Sequence, residues 1–255
     1  MGFAMKRWEH RFEVKPGRWV YVPTPIGKAA GEKIRSSVAK VWSRPKFYFH
    51  LRKGGHVAAL RRHLKNQYFF RCDLDDFFGR INQSRVTRSL KENFSYVDAR
   101  KMASDSVVIR PGTGKTMLPY GYVQSPILAS FALDRSRVGR FLRKCESSED
   151  VTVSVYMDDI VLSSNDEARL YVAAAELAQL ATDAGLPLNA GKTIGPASTV
   201  TAFNVELSHG LLSVTKERID RFRESYATAS SLHVELGIVN YVHSINSTQV
   251  AAVIT

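Results

Sequence analysis

Three acidic residues give the clearest indication of chemical function in this sequence. Asp73 stands at the end of one apolar run, and the pair Asp158-Asp159 separates two others, Val151–Tyr156 and Ile160–Ser163. A carboxylate at the end of a buried strand is costly unless its charge is compensated, and adjacent carboxylates in a tight turn repel each other. A divalent cation resolves both problems, because Mg²⁺ takes a few carboxylate oxygens and completes its shell with water and substrate phosphates.

This acidic set suits phosphoryl transfer. Three carboxylates on neighbouring strands could hold two Mg²⁺ ions about 4 Å apart, with Mn²⁺ as the alternative ion. Such a pair activates an attacking hydroxyl group and stabilises the leaving oxygen. An Asp-Asp pair by itself is more often a solvated hairpin tip, but the apolar run on each side of Asp158-Asp159 argues against a simple exposed tip.

The elements that must position these residues form an α+β pattern. Turn signals and periodicity predict strands at 47–51, 68–74, 151–156 and 160–163, and a hairpin of 199–207 with 211–214. Helices are predicted at 57–64, 84–93, 98–105, from Ser125-Pro126 to Lys144, at 165–183, from Thr215 and at 239–245. Residues 1–68 are otherwise basic and irregular.

The composition limits the kinds of molecule that this protein is expected to bind. Lys and Arg total 36 against 24 Asp and Glu, a net charge of +12 that indicates a polyanion such as nucleic acid or an acidic membrane face. No apolar run is long enough to span a bilayer, and the amino terminus lacks a signal-peptide core, so we expect a cytoplasmic protein without a membrane partner. Cys72 and Cys145 are too few for a disulfide scaffold or a cysteine-built zinc site, and we predict reduced thiols.

Four motifs, in order along the chain, resemble those of reverse transcriptases. They are the first acidic motif at Asp73–Phe78 (D-L-D-D-F-F), an LPxGxxxSP motif at Leu118–Pro126, a YxDD motif at Val155–Ile160 (V-Y-M-D-D-I), and a G-L-x-x-N-x-x-K-T segment at Gly185–Thr193. A YxDD match alone would be weak, but the ordered set is specific. The residues in these motifs resemble those of bacterial reverse transcriptases, in particular the retron-like, uncharacterised and defence-associated groups.

The resemblance implies a right-hand polymerase fold with fingers, a ferredoxin-like palm and a short thumb. The fingers would be residues 1–68, with 87–116 returning to them. The palm would be 69–86 and 117–207, and the primer-grip hairpin and reduced thumb would be 208–255. Retron enzymes carry Val-Thr-Gly near the primer grip, where this chain has Val200-Thr201-Ala202. That departure weakens a strict retron assignment.

The resemblance also assigns the metal ligands and a catalytic lysine. It places the catalytic metals on Asp73 and Asp158, with the Leu74 carbonyl helping and Asp159 in support. Lys192 matches the lysine that assists pyrophosphate departure.

Further residues are implied to bind the nucleotide. The backbone of Asp76 and Phe77 matches the turn that faces the triphosphate. Phe78 matches the bulky aromatic residue that leaves no room for a 2′-hydroxyl group, so deoxynucleotides should be preferred. Tyr120 stands where many relatives have Gln, and with Gly121 it is assigned to the substrate site.

Basic segments give weaker signals. Arg52 and Lys53 are candidates for triphosphate or template contacts, since phosphate binding favours clustered cations. The segment Gly112–Thr116 (G-T-G-K-T) imitates the end of a phosphate-binding P-loop, but Ile109 stands where that motif needs its first glycine. We expect it to be a flexible loop.

The function implied is that of an RNA-directed DNA polymerase using two-metal nucleotidyl transfer. Its partners would be dNTPs, an RNA template (a noncoding RNA in bacterial anti-phage defence) and the DNA product, with a homo-oligomer or an accessory protein as further candidates. Template-independent or protein-primed DNA synthesis is an alternative, because Tyr120 and a small thumb fit a weaker template grip. An inactive nucleic-acid-binding scaffold and an RNA-dependent RNA polymerase are the remaining alternatives.

Overall fold

The computed structural model describes residues 7–15 and 17–254. Its strands are β1 (Trp8–Lys15), β2 (Arg18–Pro23), β3 (Tyr68–Asp73), β4 (Val108–Ile109), β5 (Thr116–Met117), β6 (Thr152–Tyr156), β7 (Asp159–Ser164), β8 (Ile194–Ala197), β9 (Thr199–Ala202), β10 (Val205–Ser208) and β11 (Leu211–Val214). Its α-helices are α1 (Pro25–Val41), α2 (Gly55–Arg61), α3 (Gln83–Leu90), α4 (Tyr96–Ser104), α5 (Ser125–Asp134), α6 (Arg137–Ser148), α7 (Glu167–Asp183), α8 (Lys216–Ala227), α9 (Leu232–Ile245) and α10 (Ala251–Ile254). The amino-terminal residues 1–6 and the last residue, Thr255, lie outside the described residues.

The chain forms two compact units. Unit 1 contains the described residues up to Pro45, with Leu74–Phe141 and Leu180–Pro187. Unit 2 contains Lys46–Asp73, Leu142–Gln179 and the chain from Leu188 onward.

The central sheet of unit 2 has four strands in the order β6-β7-β3-β8, and every pair in it is antiparallel. Taken in chain order, these strands lie 2-3-1-4 across the sheet, which is the strand order of a ferredoxin-like fold. The strands are apolar because both faces are covered: Phe69, Cys72 and Ile160 have no exposed surface. The sequence predicts a palm of this ferredoxin-like type, and the assignment of these residues to a palm stays a prediction.

Two further layers complete unit 2. Strands β9, β10 and β11 form a three-stranded sheet that shares a core with Leu60, Phe69 and Val161. Helices α8, α9 and α10 pack around a separate apolar cluster that includes Ile219, Val242 and Val253. The three-stranded sheet is therefore stabilised by packing against the central sheet, and the three helices are stabilised by their own apolar cluster.

Unit 1 combines two β-hairpins with helices. The β1–β2 and β4–β5 hairpins share an apolar cluster that contains Tyr21, Val108, Met117 and Tyr122. Thr24 caps the amino terminus of helix α1, because its side chain accepts a hydrogen bond from the Gly27 amide, and Pro25 is the first helical residue. The regular elements among the described residues between 7 and 45 correct the expectation that residues 1–68 are largely irregular.

Several predicted elements change in detail. Residues 47–51 form a turn with one bridge, Tyr48 to Val155, instead of a strand. The helix predicted from Ser125 to Lys144 is two helices, because the Ser136 hydroxyl donates to Leu133 O and accepts from the Gly139 amide at the break. The predicted strand 199–207 is divided by a turn.

That turn consists of Phe203 and Asn204, both with left-handed backbone at φ 58°.

The strands β3, β6 and β7 and the helix α7 lie close to their predicted positions. Cys72 and Cys145 are both free thiols, and both are buried. No helix in the described ranges is long and apolar enough to cross a membrane.

Candidate active site

The pairing of β3 with β7 brings the predicted carboxylates together. Asp73, the last residue of β3, lies directly opposite Asp159, the first residue of β7, although 85 residues separate them in the chain. Asp73 is only 5% exposed, and its carbonyl accepts a hydrogen bond from the Asn189 amide at 2.8 Å. Asp158 precedes Asp159 in the connecting turn, so all three carboxylates belong to one end of adjacent strands.

The turn that carries Asp158 is tight. Tyr156 pairs with Asp159, which leaves Met157 and Asp158 as a two-residue hairpin loop. Met157 has φ 62°, the left-handed conformation that such a loop requires. The Met157 amide donates to His50 Nδ1 at 3.3 Å, and this contact ties the turn to the neighbouring segment.

Two cations neutralise the carboxylates. Lys192 Nζ lies 3.0 Å from Asp73 Oδ1. Arg71 on β3 makes a short ion pair with Asp159, and its other terminal nitrogen donates to the Lys192 carbonyl at 2.7 Å. The structure therefore brings Lys192 to the acidic cluster, where the sequence predicts it.

Burial shapes the charge of the cluster. The pKa of Asp159 is raised to about 6, mainly by burial and also by the neighbouring charges of Asp158 and Asp73, while the Arg71 ion pair acts in the opposite direction. The contributions of Asp158 and Asp73 show that negative charge accumulates around the Asp159 carboxylate. Additional positive charge would stabilise their ionised forms.

The donor set fits a divalent cation in its chemistry. The hard oxygen ligands come from Asp73, Asp158 and Asp159. They lie at one end of the two inner strands of the sheet, in surroundings with little solvent. As placed, no group of three or more His, Cys, Asp or Glu side chains in residues 7–15 and 17–254 is arranged to hold a metal ion. Lys192 and Arg71 contact the carboxylates instead.

The predicted nucleotide residues of unit 1 form their own cluster. The rings of Phe78 and Tyr120 meet edge to face with centroids 4.8 Å apart. The Arg18 guanidinium lies 4.4 Å from the Tyr120 centroid, on the face of the ring. Phe78 is 6% exposed, and Leu74 and Phe77 are buried.

Two of the predicted nucleotide residues have a left-handed backbone. Asp76 has φ 47°, and its carboxylate pairs with Arg110. Gly121 has φ 97°, and a Cβ there would lie 2.2 Å from the Tyr21 carbonyl oxygen. The close approach of β2 to residue 120, where the Tyr21 amide donates to Tyr120 O, therefore requires glycine at position 121.

Arg71 and Arg18 are the functional candidates that sequence reasoning missed. A charged residue inside the apolar run 68–74 is the signal that could have identified Arg71. Arg18 carried no such signal. Arg52 and Lys53 lie in an exposed turn of unit 2, and the Arg52 guanidinium contacts Lys46 O and the Phe49 ring. Their predicted triphosphate role stays a prediction.

Comparison with solved structures supports the fold. The chain is similar to the foamy viral protease-reverse transcriptase bound to double-stranded DNA (TM-score 0.50, 16% identity, 91% of this chain and 35% of that chain). It is also similar to telomerase from Candida albicans bound to a telomeric RNA fragment, with a TM-score of 0.55 and 11% identity over 93% of this chain and 54% of that chain. Apo telomerase from Candida tropicalis gives a TM-score of 0.55 and 11% identity over 92% of this chain and 57% of that chain. The chain thus spans less than two thirds of each. These likenesses confirm the predicted α+β polymerase fold.

Comparison of sequences gives the family. No curated protein matches the chain. Residues 15–203 match the family described as reverse transcriptase (RNA-dependent DNA polymerase), and this segment contains both the acidic cluster and the Phe78–Tyr120 cluster. The chain therefore belongs to the reverse transcriptase family.

Proposed function

We propose that this protein is an RNA-directed DNA polymerase that extends a DNA primer on an RNA template. The observation that carries the proposal is the register of β3 and β7, which places Asp73 opposite Asp159 beside Asp158. Three buried or half-buried carboxylates at one sheet edge are the residue types that nucleotidyl transfer uses. The family assignment supports the same activity.

Two Mg²⁺ ions would be held by Asp73, Asp158 and the Leu74 carbonyl, with Asp159 in support, and Mn²⁺ is the alternative ion. When bound, such ions activate the attacking 3′-hydroxyl group and neutralise charge on the phosphates. Arg71 fixes the Asp159 carboxylate by an ion pair, which holds it at the sheet edge. Lys192 is the nearby proton donor for the departing pyrophosphate.

The nucleotide would be selected by the unit 1 cluster. The buried Phe78 ring would lie under the sugar and exclude a 2′-hydroxyl group. Arg18, held over the Tyr120 ring, offers a fixed guanidinium for a phosphate or a base. The backbone of Asp76 and Phe77 would face the triphosphate, and Gly121 would support this site through its close approach to Tyr21.

We further propose a noncoding RNA as the natural template and bacterial anti-phage defence as the setting. The net charge of +12 supports a long polyanionic partner. The wording of the first acidic motif and the tyrosine at position 120 support the retron-like and defence-associated groups. Residues 208–255 would serve as primer-grip hairpin and thumb, and 1–68 with 87–116 as fingers.

The test is extension of a labelled DNA primer annealed to an RNA template, with Mg²⁺ and dNTPs. We expect full-length product whose sequence follows the template. The double variant Asp158→Asn, Asp159→Asn should lose activity by at least about 10³-fold, because the acidic cluster is the site of charge neutralisation. Glu206→Gln, which removes an exposed carboxylate on β10 of the same unit, is the matched control and should extend normally.

Other products would favour the alternatives. Product that ignores the template sequence would indicate template-independent or protein-primed synthesis by the same carboxylates. Incorporation of ribonucleotides in preference to deoxynucleotides would indicate an RNA polymerase. Absence of product with every template, including RNA that co-purifies with the protein, would contradict the proposal and favour a nucleic-acid-binding scaffold.

A further inference from the structure

The segment 47–50 of unit 2 lies along the outer edge of the central sheet, beside β6. The amide and the carbonyl of Val155 both hydrogen-bond to the backbone of this segment, at 2.8 and 2.9 Å, and Tyr48 forms a parallel bridge with the same residue. The segment is thus anchored to the strand that leads into the Met157-Asp158 turn. His50, its last residue, is held next to that turn.

The Met157 amide finds its acceptor outside the hairpin. In a two-residue hairpin loop, the hydrogen bond that closes the turn joins the residues on either side of the loop, and the amide of the first loop residue takes no part in it. Here that amide belongs to Met157, and it donates to His50 Nδ1 at 3.3 Å. The imidazole must then carry its proton on Nε2, because only an unprotonated ring nitrogen accepts a hydrogen bond.

The backbone of Met157 gives this hydrogen bond its importance. Met157 has φ 62°, a left-handed conformation that a residue with a side chain adopts only at a cost. A turn with negative φ at this position would rotate the adjoining peptide groups and point the Asp158 carboxylate in another direction. An acceptor fixed opposite the Met157 amide stabilises the observed conformation against such alternatives.

Aromatic neighbours orient the His50 ring. The ring meets that of Tyr156 edge to face with centroids 5.9 Å apart, and it meets that of Tyr48 in the same way at 6.3 Å. His50 is half-buried. These contacts limit rotation of the imidazole, and therefore Nδ1 stays directed at the turn.

We propose that His50 is a positioning residue for nucleotidyl transfer: its Nδ1 holds the Met157 amide and thereby fixes the direction in which the Asp158 carboxylate meets a divalent cation. This role deepens the proposed function and rests on it for the part played by Asp158. His50 lies outside the four motifs and acts through the backbone of the turn. Partners that orient a metal ligand strongly affect metal affinity and rate, although they do not touch the metal.

Two variants separate the hydrogen bond from the ring contacts. His50→Phe keeps a ring and removes the acceptor, whereas His50→Asn removes the ring and keeps an acceptor, since its side-chain oxygen can take the place of Nδ1. Each is the matched control for the other, and melting curves check that both fold. Single-nucleotide incorporation then gives kcat and KM for dNTP.

The expected result is a loss of rate in one variant only. We expect His50→Phe to reduce kcat about tenfold with KM within about twofold, and His50→Asn to stay within about threefold of the unmodified protein. The reverse order, with His50→Asn slow and His50→Phe normal, would show that ring packing is what matters and would overturn the proposal. Unchanged kcat in both variants would overturn it as well.

Binding of Mn²⁺ gives a readout that needs no catalysis. Electron paramagnetic resonance measures free Mn²⁺ in the absence of primer and dNTPs. We expect His50→Phe to raise the Kd about tenfold and His50→Asn to leave it within about twofold of the original value. Equal Kd values in the two variants would contradict a role in orienting Asp158.

The route through the Met157 backbone can be tested by a double-mutant cycle. Met157→Gly lets position 157 adopt the left-handed conformation without the cost of a side chain. In that background, His50→Phe should change the Mn²⁺ Kd by less than about threefold, because the conformation depends less on the acceptor. A loss as large as in the original background would exclude this route.

Failure of this proposal differs from failure of the polymerase. If primer extension proceeds and His50→Phe extends as fast as the unmodified protein, the positioning role is wrong and the polymerase stands. If His50→Phe alone weakens Mn²⁺ binding while no primer is ever extended, the positioning role is supported and the polymerase proposal fails.

Discussion

The ammonium group of Lys192 lies 3.0 Å from Oδ1 of Asp73, and this ion pair joins the last of the four motifs to the first. The two partners differ in exposure: the Asp73 side chain is 7% exposed and that of Lys192 is 54%. Lys192 therefore neutralises a buried carboxylate while its own charge stays in contact with solvent. The proposed function gives this lysine the further role of assisting the departing pyrophosphate.

Replacing Lys192 should slow catalysis more than it weakens substrate binding. We expect Lys192→Ala to reduce kcat about 10²-fold, as is typical for loss of a general acid, with a smaller change in KM for dNTP. Single-nucleotide incorporation under steady-state conditions measures both constants. Lys216→Ala, at an exposed lysine of α8, is the control. Equal kcat for Lys192→Ala and the control would rule out a role for this lysine in the chemical step.

Phe78 should determine sugar selectivity. Phe78→Val makes room where the ring lies, so ribonucleotide incorporation should rise by at least about tenfold relative to deoxynucleotide incorporation. Because Phe78 packs against Tyr120, the variant should also unfold at a lower temperature. The ratio of kcat/KM for dGTP and GTP measures selectivity, and a melting curve checks the fold. An unchanged ratio in a folded variant would contradict the steric role.

Gly121 should tolerate no side chain. Gly121→Ala combines a left-handed backbone with a Cβ 2.2 Å from the Tyr21 carbonyl oxygen, and we expect a loss of at least about 2 kcal/mol in the free energy of unfolding. Gly237→Ala is the control, because a Cβ there meets nothing within 4 Å and alanine favours the helix α9. Denaturant unfolding compares the two. Equal stability would show that β2 does not approach residue 121 so closely.

His63 should make the protein less stable in mild acid. It is fully buried, its ring nitrogens lie 2.7 Å from the hydroxyl oxygens of Ser154 and Ser163, and burial lowers its pKa to about 3. Between that pKa and its ordinary value of 6.5 the unfolded chain binds more protons, so the free energy of unfolding rises with pH in this range and falls as acid is added.

From pH 7 to pH 5 the contribution of His63 to this loss is on the order of 2 kcal/mol. Denaturant unfolding at several pH values measures it. His63→Gln should flatten the dependence, and His233→Gln, at an exposed histidine, should leave it unchanged. The same slope in all three proteins would exclude His63 as the source.

The sequence by itself determined the local features of this protein. Apolar runs with short turns predicted β3, β6 and β7, and the residue types at Asp73, Asp158 and Asp159 pointed to phosphoryl transfer. The motifs gave the reverse transcriptase family, which the comparison confirms. These features can be predicted from the sequence because a strand and its turn are specified by residues close together in the chain.

Only the tertiary structure decided which distant residues meet. Arg71 contacts Asp159 because the β3–β7 register brings the two side chains together. Arg18 contacts the ring of Tyr120, which lies about a hundred positions later in the chain. The β1–β2 and β4–β5 hairpins, which share one apolar cluster, are likewise separated by 84 residues of the chain. Such contacts depend on strand register and on packing between segments far apart in the chain, and no local pattern encodes either.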